Sequence, residues 1–209
     1  MTQSRSRGRP RDPATDDAIL RAGLELFIER GIDGASIEQI AKRAGVGKLT
    51  IYRRWSSKEE LIAAAIETQV AHEVEWPSPD VIDQVSPHQL VEAALPKAAE
   101  TGAALEFRAL VARILGSSVS HPSLMATYWK HYVLPRRDLV ARLLERARNA
   151  GTVAAEADSD VLIDMMAGAV MYRVLQPDPP DVPEMVAYLK AIYRQVGLLP
   201  PAQDGGLQD

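Results

Sequence analysis

The chain has 209 residues, a formal net charge of −4, no cysteine and only two phenylalanines. That length is ample for one or two domains with a buried core, and the lack of cysteine excludes disulfide frameworks and thiolate metal sites. No uncharged apolar run approaches the roughly 18 residues of a membrane span, and no apolar segment follows the Arg-rich N-terminus as it would in a secretory signal, so the chain reads as cytoplasmic.

The charge is unevenly placed. The first 60 residues carry 12 Lys and Arg against 9 Asp and Glu, whereas the remainder carries 12 against 19. Such asymmetry suits one end that faces nucleic acid and one that keeps away from it.

In chain order, residues 1–11 form a basic arm containing Arg5, Arg7, Arg9 and Arg11. Asp12-Pro13 reads as an N-cap followed by proline at the first helical position. Ile19, Ala22, Gly23, Leu26 and Phe27 then recur at helical spacing until Gly31 stops the helix. Ser36 with Gln39 forms a capping box that opens a second helix, whose inward face is Ile37, Ile40, Ala41 and Ala44. Gly45-Val46-Gly47 breaks the chain before a short third helix from Lys48 to Trp55. Ser57 and Glu60 predict another capping box, opening a fourth helix through Leu61, Ile62, Ala65 and Ile66.

Trp76-Pro77-Ser78-Pro79 marks a break. Ser86-Pro87 starts a helix that Pro96 should disturb, and Phe107, Leu110, Val111, Ile114 and Leu115 form the stripe of the next. A long helix is expected from Pro122 to Asn149, kinked or split by Pro135, which lacks a backbone donor and crowds the preceding turn. The last two helices fall at about 158–175 and 182–196. Leu162, Met165, Met166, Ala169 and Arg173 line the first, and Met185, Leu189, Ile192, Tyr193 and Val196 the second. The tail from 202 to 209 is polar. Nowhere does alternation support a strand, so the fold is expected to be all-α.

Two short helices joined by a glycine-containing turn match a helix-turn-helix. The second would enter the major groove and present Lys48, Leu49, Thr50, Tyr52, Arg53 and Arg54. Lys58 and the helix N-terminus at Ser36 would add phosphate contacts. The run Ser36-Ile37-Glu38-Gln39-Ile40-Ala41 through Thr50-Ile51-Tyr52-Arg53-Arg54-Trp55-Ser56-Ser57-Lys58-Glu59-Glu60-Leu61 resembles the DNA-binding domain of the TetR family of transcriptional regulators, over about residues 13–65. The resemblance implies that Lys48, Leu49, Thr50, Tyr52 and Lys58 occupy DNA-contacting positions. Arg53 and Arg54 stand where the family often has an aromatic residue or histidine, which implies added phosphate pairing or a guanine contact. The basic arm would serve either an adjacent minor groove or non-specific phosphate attraction.

The resemblance weakens after residue 65. It divides the chain into a DNA-binding domain at 12–60 and an effector-binding and dimerisation domain at 61–201. It implies that the last two helices pair with their twins in a homodimer, a role their apolar stripes suit; the alternative is that both stripes face their own core. Between the helices near 104, 124 and 160 it implies a pocket for a small hydrophobic or aromatic effector. Candidate walls are Phe107, Val111, Trp129, Tyr132, Met166 and Val170, with His131 and Arg173 as polar anchors; each could also be ordinary core.

No catalytic residue, metal-ligand set or cofactor motif is expected. Gly45-Val46-Gly47-Lys48-Leu49 lacks the first glycine and the final Ser or Thr of a phosphate loop. The four histidines lack zinc spacing, and no nucleophile elbow is present. The resulting expectation is a ligand-responsive repressor released from a palindromic operator in double-stranded DNA. The alternative is an effector-independent dimeric architectural protein.

Overall fold

The structure is a computed structural model that describes residues 12–73 and 77–202. The basic arm at 1–11 and the tail at 203–209 lie outside the described residues. Those described form helices and connecting turns, with no strand among them.

Helix α1 (Pro13–Gly34) opens where the Asp12 carboxylate accepts the Ala14 N–H at 3.2 Å and the Thr15 hydroxyl at 3.0 Å. Gly31, at φ 73°, interrupts the helical backbone just before its end. The short helices α2 (Ile37–Ala44) and α3 (Lys48–Tyr52) follow, then α4 (Lys58–Glu73). Beyond residue 77 come α5 (Pro79–Gln84), α6 (Pro87–Ala103), α7 (Leu105–Ser117) and α8 (Pro122–Tyr128). A π turn (Trp129–Val133) leads into α9 (Leu134–Asn149), and α10 (Ser159–Val174) and α11 (Val182–Gln195) complete the fold.

Several local expectations change in the folded chain. The regular part of α3 ends at Tyr52, with Arg53 and Arg54 in the turn that follows. Ser57 caps α4 by accepting the Glu60 N–H at 3.0 Å, but the Glu60 carboxylate takes the Ser56 N–H at 2.7 Å. Helix α6 runs on through Pro96, which lies on its exposed side. Leu115 is exposed, leaving Phe107, Leu110, Val111 and Ile114 as the buried stripe of α7.

Pro135 does split the long helix, and the means is specific. With no N–H at 135 and the ring crowding the carbonyl four residues back, the preceding backbone widens. The Leu134 N–H bonds the Trp129 carbonyl five residues earlier.

Two apolar clusters hold the helices together. One gathers Phe27, Ile40, Ile51, Leu61, Ile66, Phe107, Ile114 and Leu124, so α1–α4 share a core with α7 and α8. The other joins α6, α9, α10 and α11 through Leu95, Leu144, Met166, Met185 and Leu189. Full burial of each such Leu, Ile or Phe contributes about 1.5–3 kcal/mol. Polar ties cross between the N-terminal helices and the rest. Arg113 of α7 donates from Nε to the Ile28 carbonyl at 3.0 Å and from Nη2 to the Glu29 carbonyl at 2.9 Å, closing the end of α1. His121, at the N-cap of α8, lies 3.4 Å from an Asp33 carboxylate oxygen and 3.6 Å from one of Glu59.

Candidate nucleic-acid interface

Local chemistry fixes the helix-turn-helix. Ser36 Oγ accepts the Gln39 N–H at 3.2 Å while Gln39 Oε1 accepts the Ser36 N–H at 3.0 Å, so α2 has a single starting point. Its other end turns at Gly45, whose φ of 69° lies in the left-handed region that favours glycine. Ile40 and Ile51, both fully buried, lock α3 against α2, and Trp55 packs against the same cluster. Helix α1 approaches α4 at Gly23, where a Cβ would come within 2.5 Å of Leu61 Cδ2.

The outward face of α3 is laid open. Leu49 is 77% exposed and Tyr52 54%, an arrangement that leaves two apolar surfaces unburied on a five-residue helix. Lys48 and Arg53 are exposed beside them, and Thr50 is half-buried. The cations of this region are not all available, however. Lys48 Nζ donates to Glu38 Oε1 of α2. That contact holds the Glu38 carboxyl below the ordinary carboxylate range and raises the Lys48 ammonium.

Arg54, read from the sequence as an outward position, turns inward. Its Nε pairs with Asp16 of α1 and its Nη1 donates to the Thr50 carbonyl at 2.9 Å. Lys58 reaches back from α4 to the Ala35 carbonyl at 2.9 Å. Arg43 is bound to Glu29 at 2.7 Å, with Glu25 at 3.5 Å. At Ser36 the capping box uses the backbone donors of Ser36 and Gln39 for itself. Of the predicted set, Lys48, Leu49, Tyr52 and Arg53 therefore share one exposed face, with Thr50 half-covered beside them. Arg54 and Lys58 brace the frame. Glu38 was missed, because its link to Lys48 spans the turn and has no helical spacing to signal it.

The predicted effector residues divide between the two clusters. Phe107 and Val111 are buried in the first, where the Phe107 and Tyr132 rings stand 5.9 Å apart and Tyr128 stacks on Tyr132 at 4.8 Å. Arg136 lies over the Tyr132 ring at 3.4 Å. Met166 and Val170 pack in the second cluster. His131 faces Glu67 of α4 at 3.5 Å, and Trp129 is exposed. Arg173 donates to Gln176 Oε1 at 2.8 Å and stands 5.8 Å from the Tyr188 ring. A shallow hollow of about 220 Å³ lies elsewhere, lined by Pro77, Ile82, Pro135, Asp138, Leu139 and Arg142.

Helix α10 is apolar on two sides. Ile163, Met166 and Val174 are buried. On the other side Val161, Met165, Tyr172 and Leu175 stand exposed, with Gly168 exposed among them. Their successive spacings of four and three residues make a continuous seam. The single stripe expected from sequence thus resolves into an inner and an outer one. Among the described residues no helix is long and apolar enough to cross a membrane, and no group of three or more metal-ligating side chains converges.

Comparison with known proteins agrees with this architecture. Residues 19–65 match the family described as bacterial regulatory proteins, tetR family, and residues 82–192 match the tetracyclin repressor-like C-terminal domain. The chain is 31% identical to the HTH-type transcriptional regulator YdeS of Bacillus subtilis (strain 168), over 81% of this chain and 82% of that one. It is 26% identical to the HTH-type transcriptional regulator AqdR of Rhodococcus erythropolis, over 74% of this chain and 71% of the other. Among solved structures, a transcriptional regulator from Saccharomonospora viridis in complex with choline superposes with a TM-score of 0.70 at 16% identity, covering 87% of this chain and 96% of that one. FadR from Bacillus subtilis in complex with stearoyl-CoA gives 0.64 at 16% identity, with coverage of 86% and 96%.

Proposed function

The chain belongs to the tetR family of bacterial regulatory proteins, and from that premise we propose that it is a ligand-responsive repressor which binds a near-palindromic operator as a homodimer. The observation that carries the reading is the exposed face of α3. Leu49 and Tyr52 are held out in solvent by a fully buried Ile51, at a cost in apolar exposure that a major-groove partner would recover. Leu49 would press on a thymine methyl, Tyr52 and Thr50 on phosphate oxygens, and Lys48 and Arg53 on guanine or phosphate.

The dimer would form along the outer seam of α10 together with α11, where Ala187 and Ala191 leave room for close approach. It would set two α3 helices about 34–36 Å apart on one side of the duplex. The effector would act beside the π turn, whose Tyr132 and Val133 pack against the first cluster, a kind of backbone irregularity often found at functional sites. A small hydrophobic or aromatic molecule there would shift His131 against Glu67 of α4, and with it the angle of α4 and α3. The free energy for release must come from the effector's differential affinity for the two arrangements. The relatives known with choline or stearoyl-CoA lend support to a small-molecule input, while the effector class for this chain rests on its aromatic lining.

The test is selection of binding sites from a random duplex library by the full chain, beside a Tyr52→Ala/Arg53→Ala control. An enriched inverted repeat that the control fails to select supports the reading; a folded dimer that enriches nothing removes it. With the selected operator in hand, a compound that raises the melting temperature saturably and releases DNA supports effector control.

A further inference from the structure

We propose that Glu38 and Lys48 act as one reading unit, selecting a C·G base pair in each half-site. The inference rests on the reading of the chain as a sequence-specific DNA binder. Glu38 stands in the first turn of α2 and Lys48 opens α3, so the two come together across the helix-turn-helix on the exposed side. Their side chains are 59% and 52% exposed, and Lys48 Nζ donates directly to Glu38 Oε1. The pair therefore offers a donor and an acceptor side by side, next to the exposed Leu49 and Tyr52.

The major-groove edge of a C·G pair is the complement of that arrangement. Guanine presents two acceptors, O6 and N7, and the cytosine N4 donor lies beside O6. An ammonium set against guanine would leave the attached carboxylate facing cytosine N4. An A·T pair fits less well, because its two acceptors, adenine N7 and thymine O4, stand on opposite sides of the N6 donor, so one ammonium cannot engage both as it can guanine O6 and N7. Glu38 alone would be repelled by the phosphates; the Lys48 charge is what lets a carboxylate approach the base edge. Away from the operator the same contact keeps Lys48 from random phosphates, which lowers non-specific affinity.

The experiment compares site selection and random-duplex binding for the wild-type chain, Glu38→Ala, Glu38→Gln and Lys48→Ala, with thermal unfolding as the folding control. The wild type should enrich a C·G pair at one symmetry-related position of each half-site. Glu38→Ala and Lys48→Ala should flatten that same position by about tenfold and leave the others intact. Random-duplex affinity should rise several-fold in Glu38→Ala and fall in Lys48→Ala. Should Glu38→Ala unfold early, Glu38→Gln carries the test, since its amide donates as well as accepts and should relax the C·G preference. A wild-type motif that Glu38 variants leave unchanged overturns this inference alone, as does flattening of different positions by the two residues. A folded dimeric wild type that enriches nothing overturns the regulator reading and this inference with it.

Discussion

The guanidinium of Arg54 turns away from the exposed face of α3 and pairs with the Asp16 carboxylate of α1, across 38 residues of chain. Its neighbour Arg53 is exposed. Two adjacent arginines, alike in sequence, thus serve different ends. Only 13% of the Arg54 side chain is exposed, so its ion pair is little screened by solvent and its removal leaves Asp16 without its charge partner.

Replacing Arg54 should cost stability, and replacing Arg53 should cost DNA affinity. Arg54→Ala is expected to destabilise the chain by about 2–3 kcal/mol, with Asp16→Asn close behind. Arg53→Ala should stay within about 0.5 kcal/mol of the parent while lowering the salt dependence of DNA binding by about one phosphate contact. Denaturant unfolding and binding titrations at several salt concentrations would check this. Equal unfolding midpoints for the two alanine variants would refute the division of labour.

The outer seam of α10 predicts how the chain associates. Met165 and Tyr172, 62% and 73% exposed, lie on the seam about two turns apart. A Met165→Glu/Tyr172→Glu variant should sediment as a monomer and lose about 100-fold or more in apparent operator affinity, because the two half-sites are no longer engaged together. A variant that remains dimeric would place the interface on another surface.

Gly197 follows α11 at φ 74°, and a Cβ there would stand 2.1 Å from the Thr152 carbonyl oxygen. Both the backbone conformation and the contact forbid a side chain without movement of the chain. Gly197→Ala should therefore cost about 2–4 kcal/mol and lower the melting temperature by roughly 5–10 °C. Gly116, in α7 with open space around its Cβ position, supplies the contrast. Gly116→Ala should be neutral or stabilising, by up to about 1 kcal/mol. Calorimetry on the pair checks both.

Acid should weaken the N-terminal helices through three carboxylates. Glu29 is held below its ordinary value of 4.5 chiefly by a hydrogen bond from Arg43, Glu38 by one from Lys48, and Glu60 by one from Ser56. A carboxylate whose folded-state value is lowered contributes stability above its unfolded-state value and loses it as pH falls through the folded one. The melting temperature should therefore hold near neutrality and decline below pH 4.5. Glu60→Gln should melt lower than the parent at neutral pH, with the gap closing in acid. A gap that stays constant from neutrality to about pH 3 would show that ionised Glu60 does not support the start of α4.

Much of this was legible from the chain. Asp12-Pro13, Ser36 with Gln39, Ser86-Pro87 and Gly45 declare helix ends because a cap or a positive φ is satisfied within a few residues. The helix-turn-helix and the exposure of Leu49 and Tyr52 follow from the same local periodicity. Tertiary structure alone decided which of two adjacent arginines turns inward, that Lys48 is held by Glu38, and that α10 carries an inner and an outer apolar stripe. It also decided how Pro135 is absorbed, through a widened turn rather than a simple bend. Helical spacing records which residues share a side of one helix. It does not record what another helix, brought near by a distant part of the chain, leaves for each side chain to touch.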